Sequence, residues 1–300
     1  MITTSKKIGL LQVEFDLGAG KRGASRGPGA VEYILRRYLN QSGVQVENYD
    51  ALFLESEPGE VGNPKLKFLD QVVEINQKVA ALVPAMLKKD QFPLILGGDH
   101  SIAIGTIAGL AAKYKNMGVI WFDAHADLNT AETSPSGNIH GMSLSASLGY
   151  GDPSLTELGG ICPKIRPENV VIIGARQLDP QEKELIRSKG IKCYTMHEID
   201  RYGMARVIEE AIQIVSANTD GVHLSFDVDS LDPAEAPGTG TPVRGGVNYR
   251  EAHLALELMH ESGIITSAEF VEVNPTLDKE NRTSRLTVEL IASLLGKRIL

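Results

Sequence analysis

Cysteine is scarce in this sequence, because only Cys162 and Cys193 occur among its 300 residues. The two form no Cys-x-x-Cys motif and need not pair, which fits a reducing compartment. The N-terminal segment 1–8 also lacks the apolar core of a secretory signal peptide. We therefore expect a cytoplasmic protein.

Long apolar segments and basic runs are also missing. No apolar stretch reaches the roughly 18 residues of a transmembrane helix, so nothing indicates a membrane protein. The formal net charge is -8 without an extended basic run, which argues against nucleic acid as a main partner. In the glycine-rich stretch 18–29, Lys21 is followed by Arg22, where a P-loop needs Ser or Thr. We expect this stretch to be a rim loop of the active site.

Linkers and repeats are absent as well. No proline or serine tract divides the chain, and no repeat period stands out. With 300 residues, of which 42% are hydrophobic, the chain can bury a substantial core. We expect residues 1–300 to form a single catalytic domain.

The segment 123–127, Asp-Ala-His-Ala-Asp, is the most informative part of the sequence. It directly follows the apolar run 117–122, which is typical of a buried strand. Because side chains alternate between the two faces of a strand, Asp123, His125 and Asp127 project to one side. The spacing therefore predicts three side chains that converge on one point.

Two further apolar runs end in residues of the same kinds. Asp227 and Asp229 follow the run 221–226, so two carboxylates share one face. The run 92–96 leads through two glycines, which permit a tight turn, to His100. Three strand ends therefore offer candidate ligands.

Each of these residues alone could be an ordinary loop cap or turn former. Together they offer mostly hard oxygen with some imidazole and no cysteine, which favours manganese. Six side chains are too many for one catalytic ion that keeps open positions, but they suit two ions sharing bridging carboxylates. This set predicts a binuclear hydrolytic site, whose candidate ligands are His100, Asp123, His125, Asp127, Asp227 and Asp229.

The apolar runs lack strict alternation, which is typical of buried parallel strands. Helix-like segments lie between them, so we predict an α/β fold, a three-layer doubly wound sandwich with a mostly parallel central sheet. In such sheets ligands bind beyond the carboxyl ends of the strands, where all the proposed metal ligands fall. The predicted strands are 8–13, 94–96, 119–122, 170–173, 222–226 and 264–271, and the predicted helices include 67–87, 102–115, 181–188, 205–216 and 250–261.

Six sequence blocks span most of the chain: Gly-Gly-Asp-His at 97–100, Asp-Ala-His-Ala-Asp at 123–127, Ser-Gly-Asn-Ile-His-Gly at 136–141, Ser-Phe-Asp-Val-Asp-Ser-Leu-Asp-Pro at 225–233, Gly-Thr-Gly-Thr-Pro-Val-Arg-Gly-Gly at 238–246 and Glu-Phe-Val-Glu-Val-Asn-Pro at 269–275. In content and order they resemble the ureohydrolases and, within them, the arginases. The resemblance implies an arginase-like fold and hydrolysis of a linear amidine C–N bond.

The resemblance also implies how two Mn²⁺ ions would be shared. Asp123 and Asp227 would bridge the ions, and the other ligands would divide into the pairs His100 with Asp127 and His125 with Asp229. A metal-bridging hydroxide would attack the guanidinium carbon of L-arginine, and the tetrahedral intermediate would collapse to L-ornithine and urea.

Three residues receive catalytic roles from the resemblance. Glu272 matches the glutamate that pairs with the substrate guanidinium, and a carboxylate suits this planar cation; the alternative is an ordinary surface glutamate. His140 matches the proton shuttle that serves the leaving amine, a role that suits imidazole. Asp127 would bind metal and also take the proton from the attacking hydroxide.

The loop 129–140 is expected to read the amino acid end of the substrate. By resemblance, the α-carboxylate would meet Asn129, Ser134 and Ser136, with Asn138 close by, and the α-amino group would meet Asp179. Thr241 completes the expected substrate contacts. Asp179 could instead cap a helix that begins at Pro180.

Alternatives remain for the substrate and for the role of the chain. Another ureohydrolase would act on agmatine, guanidinobutyrate or formiminoglutamate. Agmatine lacks a carboxylate, so a site built for it would not need the polar loop. A regulatory subunit without turnover is a further alternative. Gln177, near Asp179, stands where some relatives have an acidic residue. The resemblance also implies a homo-oligomer, either a hexamer or a trimer.

Overall fold

The fold, described by a computed structural model for residues 7–55, 59 and 61–298, is built on one central sheet. Within this described part the sheet has eight strands, and every strand pairing is parallel. In chain order the strands are β1 (Ile8–Val13), β2 (Val46–Asn48), β3 (Phe92–Gly97), β4 (Met117–Phe122), β5 (Val170–Ala175), β6 (Lys192–Thr195), β7 (Gly221–Asp227) and β8 (Ile265–Val271). Across the sheet their order is β2-β1-β3-β8-β7-β4-β5-β6.

Helices cover both faces of this sheet. They are α1 (Gly27–Ser42), α2 (Leu69–Lys88), α3 (Ala103–Ala111), α4 (Ser143–Ser147), α5 (Pro153–Thr156), α6 (Pro180–Lys189), α7 (Met196–Tyr202), α8 (Met204–Ser216), α9 (Tyr249–Ser262) and α10 (Arg282–Leu294). Apolar side chains of α1 and α7 to α10 pack on one face, and those of α2 to α6 pack on the other. The result is a helix–sheet–helix sandwich, as predicted.

The sheet is mainly apolar on both faces because helices cover both. All residues of β3, β4, β5 and β7 are buried. Phe226 stacks on Phe122 with ring centroids 4.9 Å apart and lies 5.2 Å from Phe270, on the α1 side of the sheet. Trp121 is buried on the opposite face.

The strand register brings the carboxyl ends of four neighbouring strands to one level. One row of paired residues crosses β3, β8, β7 and β4, and it consists of Leu96, Phe270, Phe226 and Phe122. The chain positions just beyond this row are those of the predicted site residues, so the register gathers them at one edge of the sheet, as in other open α/β sheets.

The predicted fold class is confirmed, and the sheet is more uniform than expected because all its described pairings are parallel. The edge strands β2 and β6 were missed, since they are short and only partly buried. The glycine-rich stretch ends sooner than predicted, because α1 begins at Gly27 with Pro28 in its first turn.

No helix in the described ranges has the length and apolar character required to cross a membrane.

Candidate metal centre

His100 reaches the site through a close approach between two backbone segments. Gly98 follows β3, and a Cβ atom on it would lie 1.8 Å from the carbonyl oxygen of Phe15. The chain bends at Gly98 and Asp99, although neither Gly97 nor Gly98 has a positive φ. Glycine is needed because the chain after Phe15 passes against this backbone.

The imidazole of His100 faces three carboxylates. Its Nδ1 atom lies 3.1 Å from Asp123 Oδ2, 3.1 Å from Asp127 Oδ2 and 3.3 Å from Asp227 Oδ2. Nδ1 is buried and has no well-directed hydrogen bond. A ring nitrogen surrounded in this way by acceptor oxygens is suited to share a cation with them.

A second group of ligand atoms lies beside the first. His125 Nδ1 is 3.4 Å from Asp123 Oδ1 and 3.1 Å from Asp229 Oδ2. Asp123 therefore turns one oxygen toward each histidine, as a bridging carboxylate would. The two groups that could each hold one ion are His100, Asp123 and Asp227, and Asp123, His125 and Asp229.

Two site residues have backbone conformations that are unusual for side chains with a Cβ atom. Asp127 has φ 51° and Glu272 has φ 65°. The Asp127 carbonyl accepts hydrogen bonds of 3.1 Å from the N–H groups of Leu144 and Ser145, while the Glu272 N–H donates to the Gly98 carbonyl at 2.7 Å. These bonds hold conformations that would otherwise cost about 1 to 2 kcal/mol each.

The electrostatics of the cluster favour a bound cation. The four aspartates are at most 6% exposed. Burial, followed by the charges of Asp229 and Asp123, raises the pKa of Asp227 well above its usual range. A divalent ion among these oxygens would offset that cost. The donor set of carboxylate oxygens and imidazole nitrogens fits manganese among other divalent ions.

A cavity of about 200 Å³ opens directly above the cluster. Its floor includes four predicted metal ligands, and its walls include most of the predicted substrate contacts. The lining residues predicted from the sequence are His125, Asp127, Asn129, Ser134, Ser136, His140, Asp179, Asp227, Asp229 and Thr241.

Asn138 and Glu272 are not among the residues that line this cavity. Asn138 instead accepts a hydrogen bond of 3.2 Å from Lys67 Nζ. Glu272 is buried, so the alternative that it is an ordinary surface glutamate is wrong. Its Oε1 atom accepts from the His100 N–H at 2.9 Å and lies 3.1 Å from His140 Nδ1. Glu272 thus connects the predicted proton shuttle to the loop of His100.

The pKa of His140 is raised to about 9. Burial by itself would lower it, but the contact with Glu272 and the charges of Glu272 and Asp127 outweigh burial. The contact with Glu272 thus favours the protonated imidazole, and the role of His140 as a proton donor stays a prediction.

The chain was compared with known protein families, curated proteins and solved structures. The family model described as "Arginase family" matches residues 6–296. The chain belongs to the arginase family. It is 55% identical to the arginase of Bacillus subtilis strain 168 over 296 residues, which are 98% of this chain and 99% of that protein.

Two solved arginase structures share the fold of this arginase-family chain. The arginase of Bacillus caldovelox superposes with a TM-score of 0.94 at 54% identity, covering 98% of this chain and 100% of that one. The arginase of Entamoeba histolytica, in complex with L-ornithine, gives a TM-score of 0.90 at 34% identity, covering 97% and 99%.

One cavity residue of this arginase-family chain was missed in the sequence. Glu182 lines the cavity, and its carboxylate accepts from the N–H groups of Leu128 at 3.0 Å and Asp179 at 2.8 Å. A glutamate three residues after an N-cap is the ordinary sign of a capping box. The sequence pattern therefore indicates a helix cap and gives no sign that Glu182 lines the cavity.

The alternative expectation for Asp179, that it caps a helix beginning at Pro180, is confirmed. Asp179 is the N-cap residue of α6, and its Oδ2 atom accepts from Asn129 Nδ2 at 2.9 Å inside the cavity wall. Its contact with a substrate amino group stays a prediction.

Proposed function

We propose that this protein is a manganese-dependent arginase, which hydrolyses the guanidinium group of L-arginine to give L-ornithine and urea. The observation that carries the proposal is the position of Asp123 between His100 and His125, beside a polar cavity that is lined by His125, in an arginase-family chain. This arrangement supports two ions that share a carboxylate rather than one closed structural site.

Two Mn²⁺ ions per chain are proposed, with the six ligands and bridging pair predicted from the sequence. The chemistry that two such ions supply when bound is Lewis acidity, which generates a nucleophile from water near neutral pH. Around them, Thr241 Oγ1 donates to Asp229 Oδ2 at 2.8 Å and Trp121 Nε1 donates to Asp123 Oδ2 at 3.1 Å. These bonds hold the carboxylates in place.

Glu272 and His140 are proposed to act on the guanidinium group. The Glu272 carboxylate offers a negative charge beside the cluster, and a guanidinium cation pairs well with a carboxylate. His140, adjacent to it, would donate a proton to the leaving amine and recover one from solvent through the cavity. Asp127 would take the proton from the attacking hydroxide and hand it on.

The loop 129–140 supports a substrate with a carboxylate. The Ser134 hydroxyl oxygen accepts from the Gly137 N–H at 2.9 Å, and that of Ser136 accepts from the Asn138 N–H at 3.2 Å. Each oxygen already accepts a backbone hydrogen bond, and the two hydroxyl oxygens lie 3.5 Å apart, so at least one O–H group can donate into the cavity. Hydroxyl donors at the cavity wall suit the α-carboxylate of arginine and have no partner in agmatine.

The test is urea release from L-arginine and from agmatine, each after chelation and after reloading with Mn²⁺. Release from arginine only, lost on chelation and restored by Mn²⁺, is the expected result. Release from agmatine only would keep the metal chemistry and overturn the substrate. Release from neither would contradict the proposed arginase and reopen both the choice of substrate and the regulatory alternative.

The assembly and location of the chain are proposals of the same kind. The resemblance to arginases supports a homo-oligomer, a hexamer or a trimer, and the sequence supports a cytoplasmic location. Sedimentation of the Mn²⁺-loaded protein would separate a monomer from either assembly.

A further inference from the structure

Three contacts hold His100, two of them through its imidazole ring. Its ring stacks on Trp121 with centroids 4.1 Å apart and planes 7° apart. Its backbone N–H donates to Glu272. Its Nε2 atom, on the side of the ring away from the carboxylates, lies 2.8 Å from Ser225 Oγ.

Behind Ser225 lies a buried carboxylate. Ser225 Oγ donates to Glu269 Oε1 at 2.7 Å, and the two residues are direct partners in the register of β7 and β8. Glu269 Oε1 also lies 3.3 Å from His223 Nε2, and His223 Nδ1 contacts Ser267 Oγ at 3.0 Å. All of these side chains are 0% exposed, so this line of polar groups is sealed from water.

The direction of the hydrogen bonds follows from the charge of Glu269. An ionised carboxylate can only accept, so the Ser225 hydroxyl gives its proton to Glu269. The lone pairs of Ser225 Oγ are then left to accept, and the donor that faces them is Nε2–H of His100. That tautomer leaves Nδ1 with a free lone pair toward Asp123, Asp127 and Asp227, where a ligand atom for a metal is needed.

Stacking alone would not orient the ring in this way. A 180° turn of the imidazole about its bond to Cβ keeps the ring on Trp121 but carries Nδ1 away from the carboxylates. It would also replace Nε2 by carbon opposite Ser225. The bond to Ser225 is therefore the contact that selects both the ring orientation and the tautomer.

We infer that Ser225 and Glu269 are positioning residues that act through His100, by fixing its imidazole as the Nε2–H tautomer with Nδ1 directed at the metal position. This inference rests on the proposed function, because it deepens the account of the same metal centre. It assigns a role to two buried strand residues outside the proposed ligand set.

The test measures the dissociation constant of Mn²⁺ from the chelated full-length protein by calorimetric titration. Ser225→Ala removes the acceptor, and we expect it to weaken Mn²⁺ binding by about 10-fold or more, the usual effect of losing such a partner. Ser225→Thr keeps the hydroxyl and should restore parental affinity. Ser147→Ala, which removes a buried hydroxyl bonded only to the Ser143 carbonyl, is the matched control and should bind like the parent.

Glu269→Gln keeps the shape of the side chain. It tests the direction of the hydrogen bonds that run from His100 through Ser225 to Glu269, which we call the relay. Its amide can donate to Ser225, which would turn the Ser225 proton toward His100 Nε2 and favour the wrong tautomer. We expect a loss of Mn²⁺ affinity similar to that of Ser225→Ala, and little further loss when the two changes are combined, because both act on one relay. At saturating Mn²⁺ the KM for arginine should stay parental.

The relay is overturned if the parent binds Mn²⁺ while Ser225→Ala and Glu269→Gln both bind it with the same affinity. Independent, additive losses in the double variant would also overturn it. A parent that binds no Mn²⁺ contradicts the metal centre itself, and the relay with it. Should Ser225→Ala fail to fold, Glu269→Gln still decides, because it preserves the volume of the site.

Discussion

Asn129 donates a hydrogen bond of 2.9 Å from Nδ2 to Asp179 Oδ2, and so joins the loop after β4 to the start of α6. The Asn129 Oδ1 atom accepts from Thr133 Oγ1 at 2.9 Å, which fixes the orientation of the amide. Two residues expected to read opposite groups of the amino acid are therefore held against each other before substrate enters. This preorganisation lowers the entropic cost of binding.

Removal of the Asn129 amide should weaken the binding of arginine. Asn129→Ala deletes the second Nδ2 hydrogen that could reach the α-carboxylate and releases Asp179, so we expect the KM for arginine to rise about tenfold or more. Asn138→Ala is the control, because Asn138 is bonded to Lys67 rather than lining the cavity. Steady-state urea assays on both variants check this; equal effects would contradict the separation of the two asparagines.

Loss of the shared carboxylate should empty both metal positions. Asp123→Ala removes the oxygens that face His100 and His125, so we expect fewer than one Mn²⁺ per chain after dialysis, by elemental analysis, and no measurable turnover. Asp232→Asn, which changes a nearby aspartate bonded to backbone N–H groups, should keep its metal. Full Mn²⁺ content and activity in Asp123→Ala would refute the bridge.

Glu272 should affect turnover more than metal binding. Glu272→Gln keeps an oxygen for the His100 N–H, whereas Glu272→Ala would release that group and confuse the two effects. We expect Glu272→Gln to bind Mn²⁺ normally and to lose roughly 10- to 100-fold in kcat/KM for arginine, because the charge opposite the guanidinium is gone. Parental kinetics in this variant would remove Glu272 from the guanidinium site.

Because of Lys164, we expect the free energy of unfolding to change with pH in the alkaline range. Burial lowers the pKa of this lysine from 10.5 to about 8, although its Nζ donates to the carbonyls of Leu155 and Thr156. Below pH 8 both folded and unfolded chains hold the proton, and the cost of burying the charge is fully present. Between pH 8 and 10.5 the folded chain releases it first, so this group's contribution to the free energy of unfolding rises with pH, by at most about 3 kcal/mol.

Unfolding of the chelated protein by guanidinium chloride, at several pH values between about 7.5 and 10.5, measures this effect. Lys164→Met should lack the rise, and Lys183→Met, which changes an exposed lysine, should keep it. A parent and a Lys164→Met variant with the same dependence on pH would show that Lys164 does not carry it.

The gathering of the candidate ligands could be predicted because it follows from strand geometry. Asp123 and Asp227 each come one residue after the paired residues Phe122 and Phe226. In a parallel sheet such positions meet at one edge. The clustering of His100 with them was predicted too. The close approach of Phe15 to Gly98 was not, because it joins segments far apart in sequence.

Other features gave no local signal. Ser225 and Glu269 are ordinary members of strand-like runs, and only the pairing of β7 with β8 makes them neighbours. Glu182 has the spacing of a capping residue, so its place in the cavity depends on where α6 begins relative to the loop after β4. A side chain that acts through a partner distant in sequence can be recognised only when the arrangement of the strands and helices is known.

The most direct measurement is the rate of urea release from L-arginine as Mn²⁺ is added in known equivalents to the chelated protein. Two cooperating ions, with Asp123 between them, predict a rate that reaches its maximum at two equivalents per chain and is low at one. A maximum at one equivalent, or a rate independent of added Mn²⁺, would contradict the binuclear centre.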